Sequence, residues 1–274
     1  MIQPGFLSSL PELRTLVTTH YAKGIAELNE SKQTDFPWDI LEATENNHWR
    51  HMPQNYAPVG LINMLDFAPD WSLDVGCFVG TTSDLVKSRF PNCRTIGIEP
   101  SKPAVELART RMDVVHECLL EELDFAAEGY GLGHFDVIIL ADVLEHMYNP
   151  WAALKRLKPY LSPRGCILAS VPNIRNLSVL SQLAAGRWRY EPIGLLDVSH
   201  IRFFTRIEVQ EMFTALGYRI DALTHNPDPR WNKLMQQREF KHKIKVGKLT
   251  LSELTPADVT ELATLQFYVR ARIQ

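Results

Sequence analysis

Asp142, Glu145 and His146 stand as D-x-x-E-H directly after the apolar run Phe135–Ala141, and His200 follows in a later loop. An apolar run of that kind reads as a buried strand. The motif then sits at the strand's C-terminal end, where ligands gather in open α/β sheets, and the His200 loop is expected to fold over the same end. A neutral imidazole near pH 7 can take a proton, so His146 and His200 are candidate general bases. The two carboxylates and two imidazoles of Asp142, Glu145, His146 and His200 could also hold Mg²⁺, Mn²⁺ or Zn²⁺. The plain alternative is that Glu145 and His146 cap a helix beginning near Asn149-Pro150, and that His200 only packs.

A second constellation lies upstream. Leu73-Asp74-Val75-Gly76-Cys77-Phe78-Val79-Gly80 reads as a buried strand ending in a glycine turn, and Glu99 closes the next apolar run nineteen residues after Gly80. Strand, turn, helix and an acid at the next strand tip make a nucleoside-binding unit, in which glycines admit the ligand and the acid accepts from ribose hydroxyls. The dinucleotide pattern G-x-G-x-x-G wants glycine at 76, 78 and 81 and finds one of three. The S-adenosylmethionine pattern, acid-x-G-x-G-x-G, finds Asp74, Gly76 and Gly80, three of four. Phe78 is the departure; a bulky side chain there must turn away from the ligand or narrow its pocket.

The elements that must position these groups follow from the hydrophobic pattern. Strands are expected at Ser72–Gly76, Thr95–Glu99, Asp113–His116, Phe135–Ala141, Cys166–Val171, Tyr218–His225 and Thr264–Ile273. Helices are expected at Thr81–Arg89, Lys102–Arg111, Pro150–Leu161 and Ile207–Leu216. Continuous apolar strands alternating with helices indicate a parallel sheet covered on both faces. The Thr264 strand alternates apolar with polar residues, as expected near a sheet edge. Residues 1–55 read as a helical N-terminal cap, and 56–274 as one domain with insertions at about 173–205 and 226–255.

Composition narrows the class. A chain of 274 residues with 45% hydrophobic and 22% charged content is that of a soluble globular protein. A net charge of −3 gives no global pull toward nucleic acid or anionic membrane. Cys77, Cys93, Cys118 and Cys166 share no metal-ligand spacing and read as thiols in a reducing compartment. With Pro4 and Pro11 and no sustained apolar core, no signal peptide is expected, and no run is long enough to span a bilayer. A cytoplasmic location is expected.

From residue 71 onward the sequence resembles the class I S-adenosylmethionine-dependent methyltransferases. The likeness rests on Asp74–Gly80, Gly97-Ile98-Glu99-Pro100-Ser101, Phe135–His146, and Leu161–Leu168 leading to Val171-Pro172-Asn173. The resemblance implies an α/β fold, a Rossmann-like seven-stranded sheet, mostly parallel with a final antiparallel hairpin and helices on both faces. It implies S-adenosyl-L-methionine as cofactor. Asp74 would meet the methionine amino group through water, and Gly76, Cys77 and Gly80 would shape the turn. Glu99 and Pro100 would lie at the ribose, and Cys118 and Leu119 at the adenine with Glu117 nearby. Ala141 and Asp142 would line the methionine end. A closer likeness, in Gly186–Tyr190, Leu195-Leu196-Asp197 and His200–Thr205, is to bacterial O-methyltransferases of surface-glycan and secondary-metabolite assembly. In ubiquinone-pathway and small-RNA 2′-O-methyltransferases a similar E-x-x-E-H segment binds a divalent metal. In the RNA enzymes a downstream histidine, in a context like His200-Ile201-Arg202-Phe203, completes that site. Here Asp142 replaces the first Glu, and many relatives with x-L-E-H are metal-free, so the metal is the lesser reading.

The expected reaction is methyl transfer to the hydroxyl of a sugar or other small acceptor. Arg175, Arg187, Trp188, Arg189, Tyr190 and Arg202 offer rings for stacking and guanidiniums for anions. Residues 230–248 form a basic insertion (Arg230, Lys233, Arg238, Lys241, Lys243, Lys245, Lys248), whose plain reading is an exposed element with solvated lysines. Two alternatives stand beside this. One is a metal-assisted RNA 2′-O-methyltransferase, which would need a basic surface that the charge does not supply. The other is a silent cofactor-binding subunit, suggested by Phe78.

Overall fold

The computed structural model describes residues 56–191, 193–235 and 242–274. The expected N-terminal cap lies outside the described residues. In chain order the elements are α1 (Val59–Ile62), β1 (Trp71–Val75), α2 (Thr81–Arg89), β2 (Arg94–Ile98), α3 (Lys102–Ala108), β3 (Val114–His116), β4 (Phe135–Ala141), α4 (Pro150–Leu157) and β5 (Leu161–Pro172). They continue with α5 (Leu177–Ala184), α6 (Arg206–Ala215), β6 (Tyr218–Pro227), α7 (Asn232–Met235), β7 (Ile244–Val246), β8 (Leu249–Leu251), α8 (Pro256–Leu262) and β9 (Thr264–Ile273).

Seven strands form one sheet in the order β3-β2-β1-β4-β5-β9-β6. The pairs from β3 through β5 are parallel, and β9 runs antiparallel to both of its neighbours. The chain leaves β1 and reverses direction across the sheet at β4. That is the switch point at which α/β sheets open a crevice at their strand tips. Every residue of β4 is buried, as expected of a central strand covered on both faces. Val137, Ile139 and Ala141 pack toward Leu61, Ile62 and Val86 of α1 and α2. Ile138 and Leu140 pack on the opposite side with Leu154, Leu157, Val209 and Phe213 of α4 and α6. The expected architecture is thus the observed one. The final antiparallel pair, β6 and β9, is joined through a long connection that carries the small β7–β8 hairpin within the basic insertion.

Three boundaries differ from expectation by three residues or more, others by one or two, and one face differs. The helix expected to run to Leu161 ends at Leu157 in a 3-10 turn, Lys158–Tyr160, because Pro159 cannot extend a helix. Pairing of β5 begins at Leu161 rather than Cys166, with a register shift opposite Phe135/Val137 that accommodates Ser162–Gly165. The helix expected over Lys102–Arg111 stops at Ala108. The polar positions of β9 do not face solvent: Gln266 and Tyr268 are buried, and β6 takes the edge. The reason is α1, whose Gly60 lies so close to Tyr268 that an added Cβ would stand 2.8 Å from the ring. Arg270 Nη1 donates to the Met64 carbonyl at 2.7 Å and ties the same segment down. Among the described residues no helix is long and apolar enough to cross a membrane.

Candidate active site

The glycine turn after β1 is built from left-handed backbone. Gly76, Phe78 and Gly80 have φ of 68°, 48° and 80°. For Phe78 such a conformation costs energy, which its burial against Val79, Ala104 and Leu107 offsets. The ring is committed to packing on α3, which answers the question its bulk raised. Its amide does a second job, donating to Glu99 Oε2 at 3.0 Å, while the Ser101 amide donates to Glu99 Oε1 at 2.8 Å. Glu99 is therefore no solvated strand-end acid; it is fully buried. Burial pushes its carboxyl up to about 8, against the pull of the two amides. Asp74, on β1 beside Gly97, accepts from Ser83 Oγ at 2.9 Å, and burial raises it to about 7. A Cβ at Gly97 would sit 2.6 Å from Cys77 Sγ and 2.8 Å from Met112 Cε, so any larger residue would force those side chains to shift. The Cys77 thiol is buried, and burial with the nearby Asp74 and Glu99 raises it far from its ionised form.

Asp142 follows β4 at φ 55°, a second strained non-glycine residue at a strand tip. Its Oδ1 accepts from Ser170 Oγ at 2.8 Å and from Gln266 Nε2 at 2.6 Å, and its amide donates to Ser170 Oγ at 2.9 Å. Ser170 on β5 and Gln266 on β9 carry no motif, so the sequence offered no signal for either. Tyr56 was missed as well: it is hydrogen-bonded to Tyr268, and burial with the charge of Asp142 raises its phenol far above the usual range. The same surroundings push Tyr268 up to about 12. This network gathers two phenols and an amide around the Asp142 carboxylate.

Glu145, His146 and His200 come together beyond it. One ligand atom of each lies within 4.8 Å of the others, and all three are buried. The two imidazoles meet edge to face at 4.8 Å between ring centres, and His200 Nε2 lies 3.9 Å from Glu145 Oε1. The helix-capping alternative fails, because Asn149 caps α4 by accepting from the Ala152 amide at 3.0 Å. Neither carboxylate oxygen of Glu145 has a hydrogen-bond partner among the described residues. Burial, with the charges of Asp142 and Asp197, raises its carboxyl well above the ordinary value. Two imidazoles and an unbonded buried carboxylate are a donor set that fits a divalent cation. Asp142 does not join this group, being engaged by Ser170 and Gln266.

The other expected positions divide. Arg175 pairs with Asp258 and Glu261 at 3.2 Å each, and Arg230 pairs with Asp228 at 2.7 Å. Arg202 stacks on Tyr148 and donates to its carbonyl at 2.6 Å. Arg187 and Arg189 are exposed beside Trp188, which sits edge-on to Phe203 at 5.4 Å; Phe203 in turn lies 6.4 Å from His200. Cys118 and Leu119 are half-buried after β3, Glu117 is exposed beside them, and Pro100 is half-buried after Glu99. Lys243, Lys245 and Lys248 are exposed on the hairpin, as its plain reading expected.

A family model for the methyltransferase domain matches residues 48–223, and the chain belongs to that family. Sheet order, turn and family together define an S-adenosylmethionine-dependent methyltransferase domain. The trans-aconitate 2-methyltransferase of Methylobacterium radiotolerans is 28% identical over 106 residues, 39% of this chain and 39% of that protein. The ubiquinone biosynthesis O-methyltransferase of Bradyrhizobium diazoefficiens is 28% identical over 101 residues, 37% of this chain and 39% of that one. The chain thus spans 39% of the length of either relative. Among solved structures, the Burkholderia thailandensis 1,6-didemethyltoxoflavin-N1-methyltransferase, crystallised with its substrate and S-adenosylhomocysteine, superposes with a TM-score of 0.52. That match has 15% identity and covers 100% of this chain and 92% of that one.

Proposed function

We propose that the protein transfers the methyl group of S-adenosylmethionine to a hydroxyl of a sugar or other small acceptor, with His146 or His200 as general base. The observation that carries this reading is the buried pairing of the two imidazoles beside Glu145, beyond the tip of β4. The cofactor-side residues fit an adenosyl ligand. The turn Gly76-Cys77-Phe78-Val79-Gly80 keeps its backbone clear of bulky side chains by sending Phe78 onto α3. Each Glu99 oxygen already holds one amide and keeps capacity for a ribose hydroxyl. Asp74 and Pro100 flank that acid, Cys118 and Leu119 would border the adenine, and Ala141 and Asp142 the methionine. When bound, S-adenosylmethionine supplies a methyl group already activated on a sulfonium. What remains for the protein is to align the acceptor, worth ~7 kcal/mol or more in a well-built site, and to take its proton. Exposed Trp188, leading through Phe203 to His200, offers a stacking route for a ring-shaped acceptor.

The test uses labelled cofactor with a nucleotide-linked sugar, a phenol and trans-aconitate, read as a methyl-sized mass increase. His146→Gln and His200→Gln are made in parallel. At least one variant is expected to lose turnover while binding S-adenosylhomocysteine normally. Wild-type turnover in both sinks the histidine base, and wild-type protein that binds no S-adenosylhomocysteine makes this a silent subunit.

A second reading is metal-assisted transfer, favoured by the unbonded carboxylate of Glu145 among two imidazoles. Glu145, His146 and His200 would hold the ion, which would lower the acceptor hydroxyl's pKa. It predicts stoichiometric metal in purified protein and loss of activity with chelator. Label entering RNA under the same conditions would move the reading to an RNA 2′-O-methyltransferase.

A further inference from the structure

We propose that Asp197 and Ser199 are positioning residues that hold His146 as its Nδ1–H tautomer and so leave the basic lone pair on Nε2. Among the described residues, His146 Nδ1 faces two oxygens of Ser199, the hydroxyl at 3.1 Å and the carbonyl at 3.3 Å. A carbonyl only accepts, so the contact is favourable only when Nδ1 carries the hydrogen. The hydroxyl has a single proton, and Asp197 Oδ1 takes it at 2.6 Å, within the range of charge-assisted bonds. Ser199 Oγ therefore meets Nδ1 with a lone pair. Asp197 Oδ1 also accepts the Ser199 amide at 2.8 Å, which fixes where the serine stands. The loop bearing Ser199 cannot drift from the turn bearing His146, because the Glu145 carbonyl accepts from both the Ile201 and Arg202 amides at 3.0 Å. Asp197, Ser199 and His146 are all buried, so water does not compete for these bonds.

An imidazole in the other tautomer would present N–H where a proton acceptor or a ligand atom is needed. This inference deepens the histidine-base reading and depends on it for its effect on turnover, though not for the tautomer itself. The same tautomer serves a ligating imidazole, whose far N–H is held by an oxygen acceptor.

The experiment uses the full chain labelled with ¹⁵N in histidine, at a pH where the imidazole is neutral, with His146→Gln assigning the resonance. His146 is expected to show protonated Nδ1 and unprotonated Nε2. In Asp197→Asn the new amide can donate to Ser199 Oγ, freeing the hydroxyl proton to turn toward Nδ1. The population is then expected to move to the Nε2–H form while S-adenosylhomocysteine affinity stays unchanged. Ser199→Thr, which keeps a hydroxyl, is expected to restore the wild-type pattern. Should Asp197→Asn not fold, Ser199→Ala removes the hydroxyl alone and is expected to give a tautomer mixture. An Nε2–H form in wild type, or an unchanged spectrum in Asp197→Asn and Ser199→Ala, overturns the proposal. Turnover of Asp197→Asn on whichever acceptor the labelled-cofactor assay reveals is expected to fall roughly 10²-fold, with KM for the cofactor unchanged. If the tautomer moves and turnover does not, the positioning pair stands and the histidine-base reading fails.

Discussion

Replacing Glu99 by glutamine tests the cofactor site at its most constrained point. The substitution is nearly isosteric, yet it cannot satisfy the same partners. The carboxylate accepts the Phe78 amide on one oxygen and the Ser101 amide on the other. Glutamine has one oxygen and an NH₂ group, so whichever way it turns, one backbone donor faces another donor. An orphaned buried donor costs about 1–3 kcal/mol. For a chain of this size that lowers Tm by roughly 2–4 °C per kcal/mol, hence on the order of 2–12 °C. The lost acceptor for a ribose hydroxyl removes a hydrogen bond to a charged group, about 1.5–3 kcal/mol. The affinity for S-adenosylhomocysteine should then fall on the order of 10- to 100-fold. Calorimetry and thermal unfolding of the purified variant measure both effects. A variant that matches wild type in Tm and in affinity would refute the role given to the acid and the reasoning about its two amides.

Burial raises Asp74 to about 7 and Glu99 to about 8, so in the cofactor-free protein Glu99 favours the protonated form at neutrality while Asp74 titrates close to it. The stability these raised carboxyls contribute is complete below their unfolded values of about 4 and is lost progressively as pH rises from there to about 7 for Asp74 and about 8 for Glu99. Asp74→Asn should therefore flatten the decline in Tm over that window; an identical pH profile argues against the shift. Binding of S-adenosylhomocysteine should release protons below pH 8, seen as a buffer-dependent calorimetric heat. Gly97→Ala should overpack the contact with Cys77 and Met112 by about 1–3 kcal/mol, and an unchanged midpoint in urea would contradict the geometry. Under the metal reading, Zn²⁺ should raise the Tm of wild type and leave Glu145→Gln unmoved.

Much of the frame was legible because burial writes its period into the chain. β4, α2 and β9 have the limits read from pattern alone, since each is bounded by a turn residue or a change in apolar spacing. The turn at Asp74–Gly80 was legible for a steric reason, and Glu99 by its distance from it. The polar face of β9 was misread because nothing in its own alternation reports that α1 covers it. The helix thought to reach Leu161 overlooked Pro159, a local signal that was there to use.

The sequence by itself determined which segments are strands and helices, and which acids and histidines stand at strand ends. These depend on neighbours a few residues away, whose sterics and hydrophobic period are local. Only the tertiary structure decided what those groups touch. Asp142 is held by Ser170 and Gln266, 28 and 124 residues distant. His146 is held by Ser199, 53 residues on, and through it by Asp197. Such partners are set by strand order, with β9 entering between β5 and β6, and by loops that cross the strand tips. Sheet order carries no period along the chain. The separation of a carboxylate bound into a hydrogen-bond network from one left beside two imidazoles exists only once the chain has folded.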